Sequence, residues 1–428
     1  MPPIGPTQTF PACRPPARCP RSLKSPTIQP TRPAARTYGP HQRTGPVRPK
    51  VCLNMIVKDE APTIRKCLDS VRPLIDTWVI VDTGSTDGTQ DVIRDCFGDL
   101  PGTLYERPWK GFDGSRTEAI ELARDSADYL LFIDADDAME AAPGFRMPEL
   151  TLDAYRIALH DGPIVHYRAA LVSTRLPWRY VGVLHEYIDC GGEYSLGTLE
   201  GVHILSIGGG ARLREEGQRQ KYLRDAAVLE QGLVKEPENA RYMFYLGQSW
   251  RDAGEQEKSL AAYDRRAAMV GFYEETYLAR VYAARAAARL GRPSAEVMDR
   301  YLRAFESRPS RAEAIGDLAG LCRVEERWPL AYMFAKEAAR IPYPKDILFV
   351  EYAWHEWRAL DELAIAAYWV GEYRESLECC ERLLSEGKLP DEHRERVVGN
   401  LDFARKKLGR AVFHVKPAVS RETSPTSA

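Results

Sequence analysis

From Val51 onward the chain alternates short apolar runs with helical periodicity. The run Val51–Val57 has the character of a buried strand, and Ile64, Leu68, Val71 and Ile75 then recur at helical spacing. Pro62 suits the first turn of that helix, where its missing N–H costs nothing. Trp78–Val81 reads as a second strand, and Val92, Ile93, Cys96 and Phe97 mark the apolar side of a second helix. Tyr129–Ile133 is a third apolar run. Strand–helix–strand order of this kind predicts a mostly parallel sheet. Residues 152–159, 165–172 and 178–188 instead alternate apolar and polar positions, which predicts antiparallel additions to that sheet.

Strand signals stop after Ile207. Ala, Leu, Arg, Glu and Tyr dominate from there, with Gly or Pro breaks near 237, 254, 271, 291 and 309. Leu246, Gly247, Trp250, Gly254, Ser259 and Tyr263 fit a helical hairpin repeating at about 34 residues. Ala364, Gly371, Tyr373, Ser376 and Leu383 fit a second. Between them the register is loose, and imperfect hairpins stacked into a short α-solenoid are expected. Tyr242, Phe244, Tyr245, Trp250, Trp354, Trp357 and Trp369 lie at helical spacing and read as solenoid core rather than as a sugar-stacking surface.

Composition adds boundaries. Thirteen of the 30 prolines fall in residues 1–49, and residues 1–50 carry nine Lys and Arg but no acid. Such a segment cannot bury enough apolar surface to offset its ordering entropy, so a disordered leader is expected there. Its proline density also opposes the amphipathic helix of a transit peptide. The expected organisation is a leader (1–49), an α/β domain (50–210), a helical domain (211–412) and a frayed tail (413–428). The overall charge of −2 gives no reason to expect a nucleic-acid partner. No run approaches the roughly eighteen apolar residues of a transmembrane helix. The nine cysteines form no CxxC pair, which fits a reducing cytoplasm, and the vicinal Cys379–Cys380 reads as incidental.

In a parallel sheet, ligands bind beyond the carboxyl ends of the strands. Asp59, Glu60, Asp82 and Asp134–Asp137 all fall on that edge. Neither a GxGxxG fingerprint nor a P-loop is present. Clustered carboxylates repel a bare phosphate but suit a divalent cation, which could neutralise a substrate diphosphate. His185-Glu186 and His355-Glu356 each lack the second histidine of a HExxH zinc site. Gly208–Gly210, followed by Arg212 and Arg214, is either a mobile flap over a diphosphate or a plain linker.

The segments MIVKDE (55–60), CLDSV (67–71), VIVDTGSTDGT (79–89), FDGSRTEAIELA (112–123) and LLFIDADD (130–137) resemble family 2 glycosyltransferases with the GT-A fold. The helical stretches 240–254, 263–275 and 308–314 resemble bacterial members carrying a tetratricopeptide-like C-terminal domain. The resemblance implies a GT-A-type, Rossmann-like mixed sheet followed by a tetratricopeptide-like solenoid. It also implies inverting sugar transfer from a nucleotide-diphosphate donor, a UDP-sugar first among them, with Mn²⁺ or Mg²⁺ at the diphosphate. Carried over by position, Asp82 contacts the base, Glu60 lines that pocket, Asp134 contacts the ribose and Asp136 holds the metal. Arg116 contacts the donor, although Thr117 stands where the family often has Asn. An acceptor hydroxyl or thiol needs a base. Resemblance to members with a Tyr-x-Gly-x-x-His-Glu stretch (180–186) makes Glu186 the candidate, with His185 or His203 completing the metal shell. The acceptor, a protein, peptide or glycan, is assigned to the concave solenoid. The alternative is a non-catalytic scaffold with residual nucleotide affinity, which would not hydrolyse a donor slowly as many transferases do.

Overall fold

The computed structural model describes residues 48–208, 210 and 217–412; the leader up to residue 47, the tail, Gly209, Arg212 and Arg214 lie outside the described residues. Strands β1 (Val51–Val57), β2 (Thr77–Asp82), β3 (Gly102–Glu106) and β4 (Tyr129–Phe132) alternate with helices α1 (Ile64–Val71), α2 (Thr89–Phe97) and α3 (Phe112–Ala123). β1 pairs in parallel with β2 and β4, and β2 with β3, so the three acidic strand ends share one edge. Pro62 lies in the turn just ahead of α1, within the chain reversal closed by the Glu60 carbonyl, which accepts from the Thr63 and Ile64 amides.

Alternate residues of the buried strands face opposite layers, as the two-residue strand period requires. Leu53, Met55 and Val57 pack with Ile64, Leu68 and Ile93 under α1 and α2. Cys52, Val79 and Leu130 pack with Ile120 and Ala123 of α3 on the other side. The sheet continues through β5 (Asp137–Ala141), β6 (Ala154–Asp161), β7 (Ile164–Ser173) and β10 (Leu196–Ser206), in the order β3-β2-β1-β4-β7-β6-β10-β5. β7 runs antiparallel to β4 and β6, as the alternating pattern predicts.

Residues 178–188 differ from the single strand expected. They form a separate hairpin, β8 (Arg179–Val181) and β9 (Tyr187–Asp189). Gly182, at a left-handed φ of 122°, ends β8, and Leu184 turns into the apolar core of the helical half.

That half contains α4 (Gln218–Lys235), α5 (Ala240–Asp252), α6 (Gln256–Ala268), α7 (Tyr273–Arg289), α8 (Ser294–Ser307), α9 (Glu313–Val324) and α10 (Trp328–Ala338). A π-turn at Trp354–Arg358 then leads into α11 (Ala359–Val370), followed by α12 (Tyr373–Ser385) and α13 (Asp391–Val412). Successive helices pack as antiparallel hairpins, a tetratricopeptide-like solenoid. The two repeats read from sequence share one detail. Ser259 donates to the Gly247 carbonyl at 2.9 Å, and Ser376 donates to the Ala364 carbonyl at 2.8 Å. Each serine thereby locks the second helix of its hairpin onto a small residue of the first. Tyr242, Phe244, Tyr245, Trp250 and Trp354 are buried as expected, whereas Trp369 is 57 % exposed and stacks on Trp328 at 4.8 Å.

One strand contradicts the expectation that the helical half has none. β11 (Val350–Glu351) pairs antiparallel with Ile164 and Val165, beside the part of β7 that β4 does not reach. The Ile347 carbonyl accepts from the Tyr167 amide at 2.8 Å. Two residues are too few to display a period. Sheet and solenoid belong to one compact unit that begins at Arg48.

His166 meets Phe349 edge-on at 5.0 Å at this junction. Burial, with Arg168 adding, pushes its pKa down to about 4. The native state therefore holds His166 neutral where the unfolded chain, near pH 6.5, begins to protonate it, so stability is lost as pH falls from about 6.5 to 4. His166→Gln should show a shallower fall of melting temperature across that window than wild type. Parallel curves would remove His166 from the acid response.

Candidate active site

The loops after β1 and β2 are laced together. Thr83 donates its amide to the Val57 carbonyl, Asp59 donates its amide to Ser85 Oγ at 2.9 Å, and Asp59 Oδ1 accepts from the Thr86 amide at 2.7 Å. Asp82, 1 % exposed, accepts from the Gly84 and Ser85 amides through Oδ1, at 2.8 Å each. Its Oδ2 is buried with no hydrogen-bond partner. An unpartnered carboxylate oxygen in such a place is costly unless a ligand donor reaches it.

Beyond β4, Asp134 lies between two arginines. Its Oδ1 accepts from Arg116 Nη2 at 2.5 Å and its Oδ2 from Arg168 Nη1 at 2.7 Å. Burial acts to raise the Asp134 pKa, but the two guanidinium groups outweigh it and hold the carboxyl well below the usual range. Arg168 Nη2 also reaches Asp137 Oδ2 at 3.3 Å. There burial prevails, with Asp134 and Asp136 adding to it against Arg168, and the Asp137 pKa is pushed up to about 7. Arg116, from α3, lies 2.7 Å from Glu186 Oε1 through Nε and 5.4 Å from the Tyr180 ring centroid. One guanidinium thus spans the end of β4 and the β8–β9 loop, which are fifty residues apart in the chain. Thr117 accepts the Tyr180 amide on its hydroxyl at 3.0 Å, tying α3 to β8.

Asp136 and Glu60 meet at Gly210. The Gly210 amide donates to Asp136 Oδ2 at 3.1 Å. A Cβ on Gly210 would lie 2.6 Å from that oxygen and 3.4 Å from Glu60 Oε1. The other Glu60 oxygen accepts from Thr63 Oγ1 at 2.7 Å. The two histidines lie in other company. His185, exposed, stacks on Tyr245 of α5 with centroids 3.9 Å apart. His203 faces Glu140 Oε2 at 3.1 Å and the His160 ring at 4.5 Å. Among the described residues no three His, Cys, Asp or Glu side chains form a group that could hold a metal ion.

The structure therefore gathers Asp134, Arg116 and Glu186 in one cluster and Asp136 with Glu60 in another. Arg168 was missed in the sequence reading. Its one signal is a charge in the middle of a strand, VHYRAALV, where alternation alone assigns no partner.

A mixed sheet with acids at its parallel strand ends, continued into a helical-repeat solenoid, is the GT-A-type architecture joined to a tetratricopeptide-like domain. Residues 52–142 match the family model Glycosyl transferase family 2. The chain is 27 % identical over 223 residues to the SPbeta prophage-derived glycosyltransferase SunS of Bacillus subtilis, a match covering 50 % of this chain and 52 % of SunS. It thus spans about half the length of that relative. Lipopolysaccharide core biosynthesis glycosyltransferase LpsC of Rhizobium meliloti is 33 % identical over 101 residues, covering 23 % of this chain and 34 % of that protein. The solved structure of S. aureus TarS 1–349 in complex with UDP-GlcNAc aligns with a TM-score of 0.27 at 14 % identity, over 57 % of this chain and 92 % of that one. No helix among the described residues is long and apolar enough to cross a membrane.

Proposed function

We propose that the chain is an inverting, metal-dependent glycosyltransferase that moves a sugar from a UDP-sugar to a protein, peptide or glycan acceptor. The observation that carries this reading is Arg116, whose guanidinium brings Glu186 beside Asp134, Arg116 and Asp134 lying within the span that matches the family 2 model. Glu186 takes the acceptor proton as the acceptor oxygen or sulfur bonds to the anomeric carbon. The bond from that carbon to the diphosphate oxygen breaks, and UDP leaves with the electron pair. The unpartnered Asp82 oxygen suits an N–H of the base, and Asp134 the ribose.

The donor set fits a divalent cation of a particular kind. Mg²⁺-type ions are commonly held by one or two carboxylates, with substrate phosphates supplying further oxygens. Asp136, with Glu60 beside it, offers that number. Bound there, Mn²⁺ or Mg²⁺ would offset the charge of the diphosphate. The placements of His185 and His203 leave them outside this proposed set. The solenoid, on which the Glu186 loop is seated, borders the place where an acceptor must enter, and it is proposed to present that acceptor.

Two protein carboxylates hold a cation weakly by themselves, so cation and nucleotide should bind together. UDP with Mn²⁺ should raise the melting temperature, while either alone should do little. At a hundred times the dissociation constant the gain is about 2.7 kcal/mol. Asp136→Ala should abolish most of it. An equal rise in that variant would remove Asp136 from the donor site.

A further inference from the structure

The loop that carries Glu186 is held by the solenoid rather than by its own sheet. Between β8 and β9 the chain leaves the hairpin at Gly182 and returns at Tyr187. Within this stretch Leu184 is buried in the solenoid core. The Val183 amide donates to the Tyr242 hydroxyl at 3.3 Å. His185 adopts a left-handed φ of 51°, uncommon outside glycine and persisting only where the surroundings enforce it. Those surroundings belong to α5. The His185 ring stacks on Tyr245, and its carbonyl accepts from Arg241 Nε at 2.9 Å. The same guanidinium lies 5.4 Å from the Tyr187 ring and 4.9 Å from the Tyr245 ring. Arg241 therefore touches the residues on both sides of Glu186.

Arg241 is itself fixed from behind. Its Nη1 reaches Glu275 Oε1 of α7 at 3.3 Å, and the other Glu275 oxygen is held by fully buried Arg266 at 3.1 Å. A chain of contacts from the third solenoid helix after α4 thus ends at the peptide unit preceding Glu186.

We propose that Arg241 is a positioning residue for Glu186, through which the solenoid sets the geometry of proton removal. The proposal rests on the reading of Glu186 as the base. A displacement of about 1 Å can cost about a hundredfold in rate, so the expected loss is ten- to a hundredfold in turnover with donor affinity retained. Glu275 keeps Arg266 when Arg241 is removed, so the fold should survive.

The test uses the full chain with UDP-glucose and UDP-N-acetylglucosamine as donor probes, following UDP release by slow hydrolysis and UDP affinity by calorimetry. Arg241→Ala and Arg241→Lys should each slow release at least tenfold with UDP affinity within threefold of wild type. Lysine keeps a charge toward Glu275 but lacks the Nε–H that meets His185. The double variant R241A/E186Q should be no slower than E186Q alone, because Arg241 acts through that carboxylate. Release in R241A near the wild-type rate, or losses that multiply in the double variant, would overturn the proposal. E186Q at the wild-type rate would overturn the base assignment beneath it, a different and separately visible result. Hydrogen exchange gives a readout independent of donor identity. R241A should speed exchange of the amides from Val183 to Tyr187 and leave β1, β2 and β4 unchanged, and unchanged exchange in that loop would also count against the proposal.

Discussion

Glu186→Gln lowers sugar transfer by about 10²–10⁴-fold and leaves UDP affinity intact; that is the expected result if a carboxylate at this position removes the acceptor proton. Glutamine keeps the shape and still offers an oxygen toward Arg116 Nε, now 2.7 Å from Glu186 Oε1. Arg116 also retains its bond to Asp134, so the donor side should be undisturbed. What disappears is basicity. The measurement is initial rate of transfer, or of donor hydrolysis, alongside UDP binding. Transfer within a few-fold of wild type would disqualify Glu186. The next carboxylate along the hairpin, Asp189, is tied to Arg179 at 3.1 Å and would be tested after it.

Arg311→Leu should destabilise the fold by about 3–5 kcal/mol, the usual cost of stranding the partners of a buried ion pair. Arg311 is fully buried and donates to Glu313, at 2.6 Å at the closest, and to Asp346 at 3.1 Å. It also donates to the Leu348 and Phe349 carbonyls, at 3.2 and 3.0 Å. Leucine would leave Glu313, 1 % exposed, without its cation and would release the segment leading into β11. Urea unfolding reads the loss directly. Exchange at Ile164 and Val165 should rise as β11 loosens. A loss below about 1 kcal/mol would mean that the carboxylates find other partners or take up protons at little cost.

The elements that could be read from sequence are those whose signal is local. β1, β2 and β4 are short, largely apolar runs, broken in β1 by Asn54, and Asp82, Asp134 and Asp136 lie at or just beyond their ends. The serine-locked hairpins at 246–263 and 364–383 carry a small residue, a glycine and a serine at the same offsets, Gly247, Gly254 and Ser259 in one and Ala364, Gly371 and Ser376 in the other. Between them the register was obscured because the solenoid buries charge there. Glu274, Glu275, Arg266, Arg311 and Glu313 occupy interior positions that an apolar pattern would have marked. β3 was missed because its residues are mostly exposed, and β11 because it is two residues long. The site divides in the same way. Acids at strand ends announce themselves, whereas Arg168 and Arg241 matter only through partners distant in sequence, at Asp134 and His185.

β11 also bears on how the protein is made. Val165 waits for Val350, about 185 residues further along the chain. At about 5–20 residues per second, a ribosome takes roughly 10–40 s to deliver that partner. Until then the amide of Tyr167 lacks the Ile347 carbonyl, and the first residues of β7 present an open strand edge beside its paired portion. Open edges of this kind invite pairing with other chains. The nascent sheet half therefore stays unfinished, and vulnerable to aggregation, until most of the repeats behind it have emerged.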